Sequence, residues 1–335
     1  MRLTVSLTAS ILGFLVLGGC GRKPVNDPEV ISGETMGTTF RVLALGVDSD
    51  VNARLGISIK GLLDSIAMEL STWESDSWIS EFNRLPAGVS LPVPAHASSV
   101  LACSIKVAEL SEGALNPAIY PLVKAWGFAS PRGQKVVAPE PAEIDRFKGL
   151  VDYRNVVFDE NEKRIRKTKD GVEIDCSAVA KGYAIDAIAE VLTNEGVENF
   201  LIELGGELRA QGQNGSGNPW SVRIESVRDD AQELDPISLT DESIATSGGG
   251  YLSKRIDGEY LTHILDPSTG TPMERDASFY SVSVIAPSCM MADALATAAF
   301  VLGPKGLASL RDAYPEAEFI FTGNDGSRTI FPSGI

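Results

Sequence analysis

Residues 173–213 read EIDCSAVAKGYAIDAIAEVLTNEGVENFLIELGGELRAQGQ. From Ala178 to Glu195 apolar residues recur at helical spacing, and Gly196 supplies the stop. Phe200 to Gln213 then reads as strand on either side of Gly205-Gly206. A helix is therefore followed by a hairpin. In a doubly wound sheet each strand returns parallel through a helix, whereas a tight glycine turn can only return the chain antiparallel. Trp220–Val227 and Gln232–Leu239 extend the pattern as an antiparallel meander with Gly-rich turns. Without βαβ regularity, the predicted fold class is α+β: mixed, largely antiparallel sheets with packed helices.

Upstream of this stretch, Thr35–Gly46 alternates as a strand and Val51–Leu70 reads as a long amphipathic helix. Thr72–Ser77 is a loop with an N-cap signal that opens a short helix through Phe82. Ala95–Ser111 is a helix stopped at Glu112-Gly113, and Ser130–Pro141 is a surface connection. Asn155–Ile174 holds short strands around the turn Asp159-Glu160-Asn161. Downstream, Ile244–Ile256 and Tyr260–Leu265 are strands around a glycine cluster, and Ser281–Ala286 is a further strand. Met290–Leu302 and Pro304–Ala313 are helices, and two short strands close the chain. There is no internal repeat.

The chain has 335 residues, 44% hydrophobic and 22% charged, which is a globular balance. Its formal net charge of −16 argues against nucleic acid as a partner, because phosphate backbones are bound by basic surfaces. The first residues are a separate matter. Met1-Arg2 starts an apolar run that ends Leu17-Gly18-Gly19-Cys20, the shape of an export signal with small residues at the cut. A cysteine at that place resembles the bacterial lipobox, in which the thiol is acylated and becomes the new N-terminus. The expected organisation is a lipoprotein signal peptide at 1–19, a tether over 20–31 from lipidated Cys20, and one domain over 32–335. That places the domain on the periplasmic side of a bacterial cell membrane, inner or outer, held by its lipid anchor. Cys103, Cys176 and Cys289 form no metal spacing and read as buried thiols, with a single disulfide as the alternative. Only His96 and His263 are present, so a His-rich zinc site is disfavoured.

Several segments could carry chemistry. Asp293 and Thr297 stand one helical turn apart, and their oxygen-only pair suits Mg²⁺ better than zinc. A helix-dipole Asp with an inward Thr fits the same spacing. Asp175 to Lys181 runs into a helix N-terminus, where small residues let a ligand approach and anions are favoured. A capped helix with a surface lysine fits it equally. His263, followed by Asp266-Pro267 in a Gly-closed turn, suits base chemistry on a hydroxyl, with Asp266 fixing the turn or orienting the ring. Gly205-Gly206 and Gly248-Gly249-Gly250 match neither a Walker loop nor a dinucleotide fingerprint. Trp73 and Trp126-Gly127-Phe128 are rings beside loops that could stack on a flat heterocycle.

In order, the chain carries Glu34-Thr35-Met36-Gly37-Thr38, Leu70-Ser71-Thr72-Trp73, Ser80-Glu81-Phe82-Asn83, Pro121-Leu122-Val123 and Trp126-Gly127-Phe128. Asp175 to Tyr183, Leu204-Gly205-Gly206, Ala245-Thr246-Ser247-Gly248, His263 to Gly270, and Ala292-Asp293-Ala294 with Thr297 follow. This series resembles the ApbE family of FAD:protein FMN transferases over nearly the whole chain beyond the leader. The resemblance implies Mg²⁺-dependent cleavage of FAD, transfer of FMN to a Thr or Ser hydroxyl of an acceptor protein, and release of AMP. Implied acceptors are subunits of membrane redox complexes such as the sodium-pumping NADH:quinone reductase (Nqr) and Rnf. By position, Met36, Trp73, Asn116, Pro117, Ala118, Asp175, Lys181 and Leu265 would contact the flavin nucleotide. Ala178 through its carbonyl, with Asp293, Ala296 and Thr297, would hold Mg²⁺, and His263 would be the base. Asn116 stands where many members have Asp, and Ala296 replaces a carboxylate seen in some. The alternatives are an FAD pyrophosphatase giving FMN and AMP, and a non-catalytic flavin-binding lipoprotein.

Overall fold

The computed structural model describes residues 27–130, 137–224, 235–248, 254–256, 259–273, 279–323 and 325–332. The leader, Cys20, most of the tether, Gly249 and Gly250 lie outside the described residues. The chain opens with β1 (Glu29–Thr35) and β2 (Thr38–Ala44), then α1 (Ser49–Leu70), α2 (Trp78–Arg84), β3 (Leu91–Pro92) and α3 (Ala95–Leu110). A 3₁₀ turn at Pro117–Ile119 leads into α4 (Tyr120–Ala125), and α5 (Pro141–Lys148), β4 (Val156–Asp159) and β5 (Arg164–Lys167) follow. Next come α6 (Ser177–Asn194), β6 (Phe200–Leu204), β7 (Glu207–Gln211), β8 (Trp220–Val222), β9 (Ile237–Leu239) and β10 (Ser243–Gly248). The last elements are β11 (Lys254–Ile256), β12 (Glu259–Leu261), β13 (Leu265–Asp266), β14 (Thr271–Pro272), β15 (Ser281–Ala286), α7 (Cys289–Leu302), α8 (Ala308–Ala313), β16 (Glu318–Thr322) and β17 (Arg328–Phe331).

Eight strands form the central sheet in the order β1-β2-β6-β7-β10-β15-β16-β17, with every neighbouring pair antiparallel. The expected α+β class is therefore what the chain adopts. One face of the sheet carries the main core. α1 lays Leu55, Ile59, Leu63, Ile66 and Leu70 into it, a spacing of three and four that keeps one helix face inward. Asp48 caps that helix, accepting from the Val51 N–H at 2.8 Å. The other face of the sheet packs Ala210 and Ile244 against Trp220, Val222 and Leu239. A third, small core of Leu122, Trp126, Val151, Ile256 and Leu265 joins α4 to the segment after β12.

Four expectations need correction. The strand read over Thr35–Gly46 is two strands, because Met36 (φ 49°) and Gly37 (φ 73°) form a two-residue hairpin turn between β1 and β2. Positive φ at both central residues matches the twist of flanking strands, and glycine adopts it without strain. β1 already begins at Glu29, three residues inside the span assigned to the tether. The meander also breaks: β7 pairs with β10, while β8 and β9 pair only with each other. Their ribbon bears Trp220, Val222 and Leu239, and these side chains are satisfied by lying over the sheet face rather than extending the sheet. The downstream helix is likewise split into a 3₁₀ turn at Pro304–Gly306 and α8.

Cys103, Cys176 and Cys289 are buried and unpaired, so the disulfide alternative is not realised. Burial pushes the Cys103 thiol up to about 12. No helix among the described residues is long and apolar enough to cross a membrane.

α6 and α7 cross the main core in direct contact. A Cβ on Gly182 would stand 2.3 Å from the Cys289 carbonyl oxygen and 2.8 Å from Met290 Cα, so only glycine lets the backbones approach this closely. Gly182→Ala should gain helix propensity yet lose stability by about 1–3 kcal/mol, the usual cost of overpacking a core. Urea unfolding followed by circular dichroism measures it, and an unchanged midpoint would mean that the two helices have room to separate.

Candidate active site

The site begins at the N-terminus of α7, which is held by α6. Ser288 caps α7, and the Asp186 carboxylate accepts from Ser288 Oγ at 2.8 Å, Cys289 N at 3.0 Å and Met290 N at 2.9 Å. Arg209 on β7 pairs with the same carboxylate. Orphan amides of a helix start are thus met by a charge on the neighbouring helix. This leaves Asp293 free of capping work, because it lies in the second turn of α7 and not at its end. The helix-dipole reading of Asp293 fails on that ground.

Asp293 is only 3% exposed. Its Oδ2 accepts from the Gly182 N–H at 3.0 Å. In an α-helix that N–H points at the carbonyl four residues back, which here is Ala178. The Asp293 carboxylate therefore lies alongside the Ala178 carbonyl, near the start of α6. One turn further along α7, Thr297 Oγ1 is 3.0 Å from Ser247 Oγ on β10, which fixes the hydroxyl. Ala296 is fully buried and offers only its carbonyl.

Lys181, on the same stretch of α6, forms an ion pair with Glu207, the first residue of β7. The sequence reading overlooked Glu207, although it directly follows Gly205-Gly206. A Cβ on Gly205 would stand 3.0 Å from Thr38 Cγ2 and 3.4 Å from Lys181 Cδ, so the Met36 turn, the glycine turn and Lys181 are neighbours. Burial drives the Asp293 carboxyl well above the ordinary carboxylate range; Lys181 opposes that shift and Glu207 adds to it. Burial works against the Lys181 charge, but Glu207 and Asp293 outweigh it and hold the ammonium above its ordinary range. The second Glu207 oxygen is enclosed and has no partner.

His263 is not a freely solvated imidazole. The ring is half-buried, and its Nδ1 is enclosed without a hydrogen-bond partner. Burial first, and then the charge of Lys181, push it down to about 4. Asp266 does not orient this ring. Its Oδ1 accepts from Ser268 N at 2.8 Å and Ser268 Oγ at 2.7 Å, so it builds the turn. Trp126 Nε1 donates to the Gly270 carbonyl at 2.8 Å and ties that turn to α4.

The remaining candidates fall into two groups. Asn116 caps the 3₁₀ turn through the Ala118 N–H at 3.0 Å, and the Pro117 carbonyl accepts from Asp175 N at 2.9 Å. Asp175 Oδ1 in turn accepts from Ser177 N at 2.8 Å, so Asn116–Ala118, Asp175 and the start of α6 form one connected unit. Burial raises the Asp175 carboxyl, partly offset by Ser177. Trp73 is 63% exposed on the loop before α2, and Tyr120 Oη donates to the adjacent Thr72 carbonyl at 3.4 Å. Met36 packs on the edge of the main core, and Leu265 is buried in the small core. Leu265 thus anchors its loop rather than presenting its side chain to a ligand.

A histidine held neutral in the fold has a definite acid signature. The unfolded chain binds a proton near the ordinary value of about 6.5, and the folded chain only near 4. Stability should therefore fall as pH drops through that window, and level off below it as far as this residue is concerned. Urea unfolding at pH 7 and pH 5 should show a smaller loss for His263→Gln than for the parent chain. Equal losses would mean that the ring is solvated.

Among the described residues no three His, Cys, Asp or Glu side chains converge as a metal cluster. The Asp293 carboxylate sits on the Gly182 N–H of α6, Thr297 follows one turn along α7 with its hydroxyl on Ser247, and Lys181 pairs with Glu207 and acts on the His263 ring. The family model described as the ApbE family matches residues 36–321. The FAD:protein FMN transferase of Escherichia coli K12 is 32% identical over 314 residues, covering 91% of this chain and 89% of that protein. Its counterpart from Vibrio cholerae is 33% identical over 296 residues, covering 88% of this chain and 86% of that protein. The solved flavin transferase ApbE from Vibrio cholerae superposes with a TM-score of 0.80 at 31% identity, covering 92% of this chain and 98% of the other. With the family model spanning residues 36–321 and a relative 32% identical over 91% of this chain, the chain belongs to the ApbE family.

Proposed function

We propose that this chain transfers FMN from FAD to a Thr or Ser hydroxyl of an acceptor protein, in a Mg²⁺-dependent reaction that releases AMP. What supports the reading is the Asp293 carboxylate held on the Gly182 N–H of α6, with Thr297 one turn along the same helix and His263 within reach of the Lys181 charge. Ala178, Asp293 and Thr297 supply oxygen donors only, which is the chemistry a hard divalent cation requires. Those three would hold Mg²⁺, with Ala296 adding no side-chain donor. When bound, Mg²⁺ supplies charge neutralisation at the pyrophosphate and polarises the phosphate under attack.

The chain's own groups do the rest. Ser247 holds the Thr297 hydroxyl in place, and Gly182 N–H holds the Asp293 carboxylate. The Lys181–Glu207 pair sets the local field without leaving an uncompensated charge. Met36, Trp73, Asn116–Ala118, Asp175 and the backbone near Leu265 border the space assigned to the nucleotide. His263, neutral at working pH, takes the acceptor hydroxyl proton at Nε2. The hydroxyl oxygen then bonds to the phosphorus of the FMN half, and the bond to the AMP oxygen breaks. Acceptors of the Nqr and Rnf type fit this reading. Lipid anchoring at Cys20 would hold the domain at the periplasmic face of the membrane, where such subunits are reached.

The test is a denaturing gel. The chain, FAD, Mg²⁺ and a candidate acceptor domain should give an acceptor band with in-gel flavin fluorescence and one AMP per label. EDTA should abolish it, and His263→Ala should slow labelling by about 10²–10⁴-fold, the span of a lost general base. Asp293→Asn should slow it further and raise the Mg²⁺ requirement. FMN and AMP without a labelled band, for every acceptor tried, would make the chain a pyrophosphatase. Binding of FAD with neither product would make it a flavin carrier.

A further inference from the structure

Lys167 is 1% exposed, yet it forms no ion pair among the described residues. Its Nζ donates to the Asn83 carbonyl at 2.9 Å and the Val172 carbonyl at 2.7 Å, and stands 5.3 Å from the centre of the Phe82 ring. A buried ammonium without a carboxylate is costly, and the alternating burial of β5 shows that Lys167 points inward by register rather than by accident. Asn83 continues the same device. Its Nδ2 donates to the Ile174 carbonyl at 2.9 Å, and its Oδ1 accepts from Ile174 N at 2.7 Å. One amide side chain thereby pairs with a backbone residue as a neighbouring strand would.

Both contacts fall on residues 172–176, a segment that belongs to no sheet. Val172 O is met by Lys167, Ile174 N and O by Asn83, and Asp175 N by the Pro117 carbonyl. Buried backbone polar groups must find partners, and here side chains replace the missing strand. The segment delivers Asp175 and then the first turn of α6, with Ala178 and Lys181. We infer that Lys167 and Asn83 are positioning residues that clamp residues 172–176 and so set where Asp175 meets the nucleotide. The assignment of a nucleotide to Asp175 rests on the proposed flavin transfer; the clamp itself does not.

Hydrogen–deuterium exchange on the full chain separates the two. Lys167→Met, of similar volume, and Asn83→Leu, which removes both side-chain bonds to Ile174 without adding a charge, should each speed exchange at 172–177 by about tenfold or more. Peptides covering β6 and β7 should stay within about twofold. Unchanged rates, or equal acceleration everywhere, would overturn the clamp. With FAD as substrate, each variant should raise the KM for FAD about tenfold and leave kcat nearly unchanged. Combined with Asp175→Asn, Lys167→Met should raise KM no further, whereas full additivity would show that it does not act through Asp175. If the parent chain turns over no FAD, the flavin reading falls and the exchange rates still decide the clamp.

Discussion

α6 and α7 meet at Gly182 with no side chain between their backbones, and the site depends on that approach. The same glycine N–H that faces α7 binds the Asp293 carboxylate. One turn later, Asp186 reaches across to the first amides of α7 and fixes its axial position. A shift of one helix along the other would break both contacts together. The sheet beneath supplies the rest by register. β7 starts with Glu207 opposite Lys181, and β10 offers Ser247 to Thr297. The geometry of the candidate site is thus a by-product of how two helices are locked over one antiparallel sheet.

Burial gives these groups their chemistry. Asp293 and His263 are both pushed towards their neutral forms, one by a raised and one by a lowered proton affinity. Lys181 keeps its charge because Glu207 and Asp293 outweigh the cost of its burial. Under the proposed flavin transfer, a protein as acidic as this one needs such arrangements to admit a pyrophosphate. Local charge is kept in compensated pairs, and the space left over is defined by oxygen donors and backbone amides rather than by exposed basic side chains.

Much of this was legible in the sequence. The helix-then-hairpin order of residues 173–213 carried the antiparallel class, and the Asp293–Thr297 spacing placed both residues on one helix. What the sequence concealed is long-range. Nothing near Glu207 announces a lysine twenty-six positions earlier, and Lys167 reads as one more cation in a basic stretch until β5 turns it inward. The sequence around His263 likewise gives no sign that Lys181, far away in the chain, acts on its ring. The failed meander has the same origin, since the order β7-β10 depends on which apolar face Trp220 and Leu239 cover. Local pattern specifies strands well and their partners poorly.

The three enclosed thiols sit at the centre of the fold rather than at its surface. Cys176 caps the start of α6 and Cys289 opens α7, so two of them mark the ends of the helices that build the site. Burial holds all three in the thiol form. Thiolates are the nucleophiles in alkylation and disulfide exchange, so an intact fold is inert to both. Any alkylating reagent consumed at Cys176 or Cys289 therefore counts openings of the helix pair, and the chain carries its own clock for how often its centre comes apart.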